Sequence, residues 1–242
     1  MDLGLQGRRA AVAAASGGLG FATAAALAGE GARVVICGRD RVRIDEAAAR
    51  IGNGCIGLVC DVGDAAGGAA FVTAATEALG GLDIVVANSG GPPAGTFEST
   101  PTEAYGPAID LNLLSVVGMA RTAIPAMQAN HWGRFVAITS ISVRQPMANI
   151  ILSNTARAGA TAFLKTVARE VAADGVTVNT VQPGLHATAR VEALYGDDLG
   201  SLGTLGDPAD FGAIVTFLCS DQARFVTGLA MHVDGGSFGG LQ

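Results

Sequence analysis

The first place where the sequence offers chemistry is Ala13-Ala14-Ala15-Ser16-Gly17-Gly18-Leu19-Gly20. An apolar run leads into it and an Ala-rich, helix-length segment follows. A glycine-rich turn between a strand and a helix lets backbone approach a pyrophosphate, and the helix start supplies free N–H groups and a positive dipole end. Without a ligand the same pattern is only a tight turn. Other reactive residue types are sparse. The cysteines, Cys37, Cys55, Cys60 and Cys219, form no Cys-x-x-Cys pair and have no histidine at metal-ligand spacing. They read as reduced thiols of a cytoplasmic protein, with no metal expected. Of the histidines, His131 reads as surface structure at a helix end and His232 as part of the last strand. His186 follows Pro183-Gly184 in a loop, and its imidazole is a residue type that can carry a proton.

These residues need a frame. Strand-like runs fall at 10–14, 34–37, 56–60, 84–87, 135–139, 176–181 and 230–233. They are continuously apolar, as in strands covered on both faces. Helix-length segments lie between them at 19–29, 42–51, 65–79, 103–130, 154–173 and 208–218. The alternation predicts an α/β fold: one doubly wound, parallel, seven-stranded sheet of Rossmann type with helices on both faces. Residues 88–101 and 183–207 break the alternation. Each follows a strand, so each lies at the carboxyl ends of the strands, where ligands bind in open sheets.

The 242 residues are 50% hydrophobic and 15% charged, and they read as one domain over 1–242. That composition excludes a disordered chain. Apolar stretches are interrupted well before the ~18 residues that span a bilayer, so no membrane role is expected. The net charge of −6, with Lys165 the only lysine, argues against a nucleic-acid partner. No basic, apolar leader opens the chain, so no secretory signal is expected.

With the frame in place, the chain resembles the short-chain dehydrogenase/reductase family over essentially its whole length, and within it the 3-oxoacyl-carrier-protein reductases. The family's first turn reads Thr-Gly-x-x-x-Gly-x-Gly. Its last two glycines fall on Gly18 and Gly20, with Ser16 and Leu19 beside them as further cofactor contacts. The Thr-Gly pair falls on Ala13-Ala14. An alanine there is expected to hold φ below zero, which implies a reshaped loop or weaker cofactor binding. Asp61-Val62 matches the adenine-contacting pair. Asn88-Ser89-Gly90 matches the Asn-Ala-Gly after the fourth strand. Asn112 matches the helix asparagine that holds a relay water. Pro183-Gly184 and Thr188 match the segment that grips the nicotinamide, and Val233-Asp234-Gly235-Gly236 the last strand and its exit.

The second strand ends at Gly38-Arg39, where an NAD site carries an acid. A guanidinium there suits the 2′-phosphate of NADP, so NADP is expected ahead of NAD. Asp40 keeps NAD as the alternative, and a solvated Arg39 is the plain structural account.

The resemblance implies a catalytic Ser, a Tyr thirteen residues on and a Lys four beyond that. Ser140 fits the serine, but Ser153 and Arg157 stand in the Tyr and Lys positions. Ala156-Arg157-Ala158-Gly159 fixes the register, and a spacing of four keeps both side chains on one helix face. A serine hydroxyl is a poor general acid near neutral pH. Arg157 can bind ribose hydroxyls but does not release a proton. The proton must come from water or another group. The candidates are His186, Tyr195 in the segment over the site and Tyr105, which reads as a packing residue. Ser142 is a supplementary hydroxyl. Residues 188–208 read as a short substrate lid, and Asp197-Asp198 within it as solvated loop.

Three functions follow. The first is an NADP-dependent oxidoreductase for a carbonyl/alcohol pair on a small molecule, with an Asn112-Ser140-Ser153-Arg157 centre. The second is a non-redox lyase, dehalogenase-like enzyme or isomerase on the same fold. The third is a catalytically silent cofactor-binding protein. Helices 103–130 and 154–173 are Ala-rich and sparse in charge, and the family uses them and the last strand as subunit interfaces. A homotetramer is expected, or a homodimer.

Overall fold

The computed structural model describes residues Met1–Leu241, without the side chains of Asp197, Leu199 and Ser201. The Asp197 half of the acidic pair therefore lies outside the described side chains. Seven parallel strands form one sheet in the order β3-β2-β1-β4-β5-β6-β7. They are β1 (Arg9–Val12), β2 (Arg33–Gly38), β3 (Ile56–Val59), β4 (Ile84–Ala87), β5 (Gly133–Ile138), β6 (Val176–Pro183) and β7 (Ala230–Val233). The central strands are sealed on both faces, which is why they read as unbroken apolar runs. On one face Phe71, Met119, Met127, Phe135 and Leu164 build the core. On the other Leu27, Ile36, Ile44, Phe211 and Val215 do so.

The helices are α1 (Gly18–Gly29), α2 (Arg41–Ile51), α3 (Ala65–Leu79), α4 (Tyr105–Ile109), α5 (Ser115–Ala129), α6 (Ile151–Val171), α7 (Ala189–Tyr195) and α8 (Pro208–Leu218). The strand order reverses between β1 and β4, so the crevice opens above those two strands. Caps fix where several helices begin. Asp40 accepts from Arg43 N at 2.9 Å, Asp64 from Gly67 N at 2.7 Å and Asp207 from Ala209 N at 2.8 Å. Each satisfies a backbone donor that the helix itself cannot. α1 has no such cap, and its first turn carries no acid.

Two segments differ from expectation. The stretch 103–130 is not one helix. A 3₁₀ turn (Thr102–Ala104), α4, a π-helical turn (Asp110–Leu114) and α5 follow one another. At the junction Ser115 Oγ donates to Leu111 O at 2.6 Å, a back-bond of the kind that bends helices. The lid 188–208 contains α7, whose start is capped by Thr188 Oγ1 accepting from Val191 N at 3.4 Å. Seven residues are too few for a helical period to show.

The amino-end rim of the sheet is pinned by charge. Arg9 donates through Nε and Nη2 to Asp83 at 2.9 and 2.7 Å, and its backbone N–H adds a third bond at 2.9 Å. This ties β1 to β4 directly beneath the crevice. Further along, buried Arg134 donates to Ser220 O at 3.1 Å. The indole of Trp132 donates to Asp221 at 3.0 Å, and the Arg8 and Arg134 guanidiniums lie 3.7 and 4.3 Å from its ring centre.

Burial alone would raise the Asp83 carboxyl, but hydrogen bonds from Arg9 and its charge outweigh it and hold the carboxyl below its usual value. A depressed carboxyl contributes stability above the unfolded value near 4 and loses it as pH falls through the folded one. Asp83→Asn is expected to lower unfolding stability at neutral pH by about 1.5–3 kcal/mol. The gap to the parent should close as urea unfolding is repeated into the acid range. A gap independent of pH would exclude the ion pair as its source.

Candidate active site

The crevice is built from the carboxyl ends of β1, β2, β4, β5 and β6. Above β1, Gly18 adopts φ +58° and a Cβ there would lie 3.8 Å from Thr188 Cγ2. The glycine turn and the start of the lid thus face each other closely. At Gly20 a Cβ would stand 2.8 Å from Asn88 Nδ2 and 3.0 Å from Ala14 O, so only glycine fits. Asn88 Nδ2 donates to Ala13 O and Ala14 O at 3.2 Å each, tying the end of β4 to the turn. The expectation about Ala14 is corrected. It stands at φ +47°, in the left-handed region, so the turn keeps a glycine-like path with an alanine in it. Its N–H donates to Cys37 Sγ at 3.4 Å, and burial pushes that thiol up to about 12.

At the end of β2, Ser16 lies against Gly38, with its Cβ 3.4 Å from where a Gly38 Cβ would be. Arg39 is exposed, and among the described residues it makes no hydrogen bond or ion pair. Asp40 is committed to capping α2. Asp61 is exposed and Val62 is buried in the core beyond β3. This half of the crevice offers an uncapped helix start, a close-approach glycine pair and an open cation. Those features fit a dinucleotide phosphate chain.

The other half surrounds Gly90. Asn112 projects from the π-helical turn and donates through Nδ2 to Ser89 Oγ at 2.6 Å and Gly90 O at 2.9 Å. Its Oδ1 is buried with no partner. Arg157 is 9% exposed and donates through Nη1 to Ile138 O at 2.9 Å. Its Nη2 reaches Gly90 O at 3.5 Å. Burial, helped by the charge of Arg190, lowers this guanidinium to about 10, so it stays cationic at neutral pH. Ser153 is also 9% exposed and lies one helical turn before Arg157. Ser140 Oγ accepts from Ser142 N at 3.1 Å, which leaves its proton free to donate. Ser142 is buried with an unpartnered hydroxyl. Pro183 closes β6, and Gly184 N donates to Val233 O at 2.9 Å; a Cβ on Gly184 would meet the Asp234 backbone at 2.8 Å.

His186 is not turned to this site. Its Nδ1 faces Gly184 O at 3.1 Å, so Nδ1 carries the proton. Its ring edge meets Phe211 at 5.2 Å, and its other side abuts Gly206. Tyr105 and Tyr195 are half-buried with no hydrogen bond among the described residues. His131 is exposed, and His232 meets Phe238 edge-on, with ring centres 4.5 Å apart. Among the described residues no group of three His, Cys, Asp or Glu could hold a metal.

Sequence reasoning missed Arg190. It donates through Nη2 to Pro92 O at 2.8 Å, and its guanidinium lies on Gly91, where a Cβ would stand 2.7–2.8 Å from three of its atoms. Its signal was present, since it is the only basic residue in 188–208.

Residues 13–237 match the family model described as enoyl-(acyl-carrier-protein) reductase. Dehydrogenase/reductase SDR family member 4 of Homo sapiens is 31% identical over 245 residues, covering 96% of this chain and 88% of the relative. The chain belongs to the short-chain dehydrogenase/reductase family. A 3-oxoacyl-[acyl-carrier-protein] reductase of Vibrio cholerae is 31% identical over 242 residues, covering 98% and 99% of the two chains. The L-sorbose reductase of Gluconobacter frateurii, in a structure with NADPH and L-sorbose, superposes with a TM-score of 0.92 at 29% identity, covering all of both chains.

An alanine in the left-handed region costs about 1–2 kcal/mol, while glycine loses about 0.5–1 kcal/mol of unfolded-state freedom. Ala14→Gly is therefore expected to stabilise the protein by up to about 1 kcal/mol and to keep or tighten dinucleotide binding. A urea midpoint equal to or below that of the parent would mean that the turn carries no strain.

Proposed function

We propose that this chain is an NADP(H)-dependent oxidoreductase acting on a carbonyl/alcohol pair of a small molecule, and that its reacting centre is Asn112, Ser140, Ser153 and Arg157. The observation that carries the cofactor choice is Arg39. It is exposed at the end of β2 with Ser16 beside Gly38, while Asp40, the acid that could have served NAD, caps α2. The relative crystallised with NADPH supports the same choice. The remaining cofactor contacts in this reading are Gly18, Leu19, Gly20, Asp61, Val62, Asn88, Gly90, Arg157, Pro183, Gly184 and Thr188.

When bound, NADPH supplies hydride to a carbonyl carbon, and one proton must reach the carbonyl oxygen. The Ser140 hydroxyl donates to that oxygen. Arg157 stabilises the negative charge that develops there, in a dry setting where a fixed cation acts strongly. It also holds the nicotinamide ribose. The proton comes from a solvent water that the buried Asn112 Oδ1 holds by accepting from it, and the Ser153 hydroxyl passes the proton on by taking one from that water as it gives its own to the carbonyl oxygen. Residues 188–208 act as the lid of one domain spanning 1–242. The four cysteines are free thiols, which suits work in a reducing cytoplasm. Among the described residues no helix is long and apolar enough to cross a membrane.

Titration with NADPH and NADH, followed by a carbonyl screen read as loss of NADPH absorbance, tests this reading. Arg39→Asp should weaken NADPH by about 1.5–3 kcal/mol and leave NADH equal or improved. Unchanged NADPH affinity would remove Arg39 from the 2′-phosphate. Tight NADPH binding with no substrate oxidised or reduced would favour the silent or non-redox readings.

We further propose a homotetramer, with a dimer as the simpler alternative. Leu114 beside α5, and Phe225 and Leu229 before β7, are exposed apolar side chains at the faces that the family uses for assembly. Light scattering at micromolar concentration should give the tetramer mass, and a monomer would overturn the assembly.

A further inference from the structure

Arg157 and Arg190 lie along one tripeptide, Gly90-Gly91-Pro92. Arg157 reaches Gly90 O, while Arg190 rests on Gly91 and bonds Pro92 O. They come from different elements, α6 and α7, and neither forms an ion pair with a carboxylate among the described residues. Arg157 is nine-tenths buried, yet peptide carbonyls are its only hydrogen-bond partners among the described residues. A buried cation held by carbonyl dipoles alone is costly, and a second cation beside it adds repulsion.

The chain does not lack acids; its net charge is −6. Several of them are used elsewhere. Asp40, Asp64 and Asp207 cap helices, Asp83 pairs with Arg9, and Asp221 serves the Trp132 rim. Asp234 accepts from its own loop, at Gly236 N and Phe238 N. Among the described residues neither arginine has a carboxylate of the chain against it, so a ligand carboxylate would supply the counter-charge.

We propose that Arg157 and Arg190 receive a carboxylate of the substrate, so that the substrate class is small oxo acids and their hydroxy-acid counterparts. The inference rests on the oxidoreductase reading and adds the substrate's charge to it. A carboxylate accepts from two guanidiniums through two oxygens and neutralises their charge, whereas a neutral ketone offers one oxygen and no charge. Its second role is to relieve the Arg157–Arg190 repulsion, so substrate binding also fastens α7 over Gly91. Arg190 is a specificity residue in this account.

The test uses the full-length chain saturated with NADP⁺, which prevents reduction during the measurement. Pyruvate, acetoacetate and levulinate, which differ in the distance between carbonyl and carboxylate, are each titrated against their methyl esters by calorimetry. At least one acid should bind about tenfold or more tightly than its ester. Arg190→Gln should abolish that preference, and Arg190→Lys should restore part of it, because an ammonium keeps the charge without the fork. NADPH affinity of Arg190→Gln is measured alongside. Acids that bind no better than esters would overturn the proposal. So would an NADPH affinity that falls as far as the acid affinity, since Arg190 would then serve the cofactor phosphates. If NADPH and NADP⁺ fail to bind the parent chain, the cofactor reading fails by itself. The same titrations on the chain alone then decide the anion site: acid preference lost in Arg190→Gln supports it, and no preference overturns it.

Discussion

Arg157 is a charged group kept out of water by the carboxyl ends of β4 and β5 and held by one carbonyl from each side, Gly90 O and Ile138 O. Burial that deep removes most of the hydration a guanidinium would otherwise have. The surrounding residues are arranged to make it tolerable. The π-helical turn aims Asn112 at the same Gly90 carbonyl, so the loop after β4 is held by an amide and a cation together. β5 ends with its carbonyl pointed at the guanidinium, and Ser140 follows two residues later. The reacting groups therefore share one small piece of backbone.

The fold was legible because its physics is written in runs of residues. The strands are mostly apolar runs, β4 without interruption, and β4 and β7 fall at their expected bounds. α3 and α8 do too, since Asp64 and Asp207 mark their starts. What sequence patterns did not carry are features set by one hydrogen bond or one torsion. The π-helical turn hangs on Ser115 and Asn112, neither of which breaks the Ala-rich pattern of 103–130. Ala14 has no local reason to take φ +47°. The positive torsion is imposed by Asn88 bonding two successive carbonyls and by Cys37 beneath it. Arg190 looks like any surface cation until the lid folds back and sets it on Gly91. The family motif located Ser153 and Arg157, but only the fold shows that the arginine is enclosed.

The two ends of the sheet divide the work. At the carboxyl end are an alanine in the left-handed region, an uncapped helix start, an unpartnered amide oxygen and a cation with no acid. Each is locally unfavourable, as sites for ligands commonly are. At the amino end the charged groups are paired or hydrogen-bonded. Arg9 and Asp83 form a forked pair, and Arg134 is buried among carbonyls beside Trp132. β1, β4 and β5 run from one end to the other, so a rigid rim holds the strained crevice in register.

Trp132 is the chain's only tryptophan, and it stands at the matched end. β5 begins one residue later and runs six residues, roughly 20 Å, before it reaches Ile138. The indole is in contact with the Arg8 and Arg134 guanidiniums and donates to Asp221. Its light emission therefore comes from a single known environment, with no second indole to blur it. When that rim loosens, water replaces the cations and the carboxylate around the ring, and the emitted colour records the event. The molecule thus carries its own optical gauge of the scaffold, read separately from the chemistry at the far end of the strand.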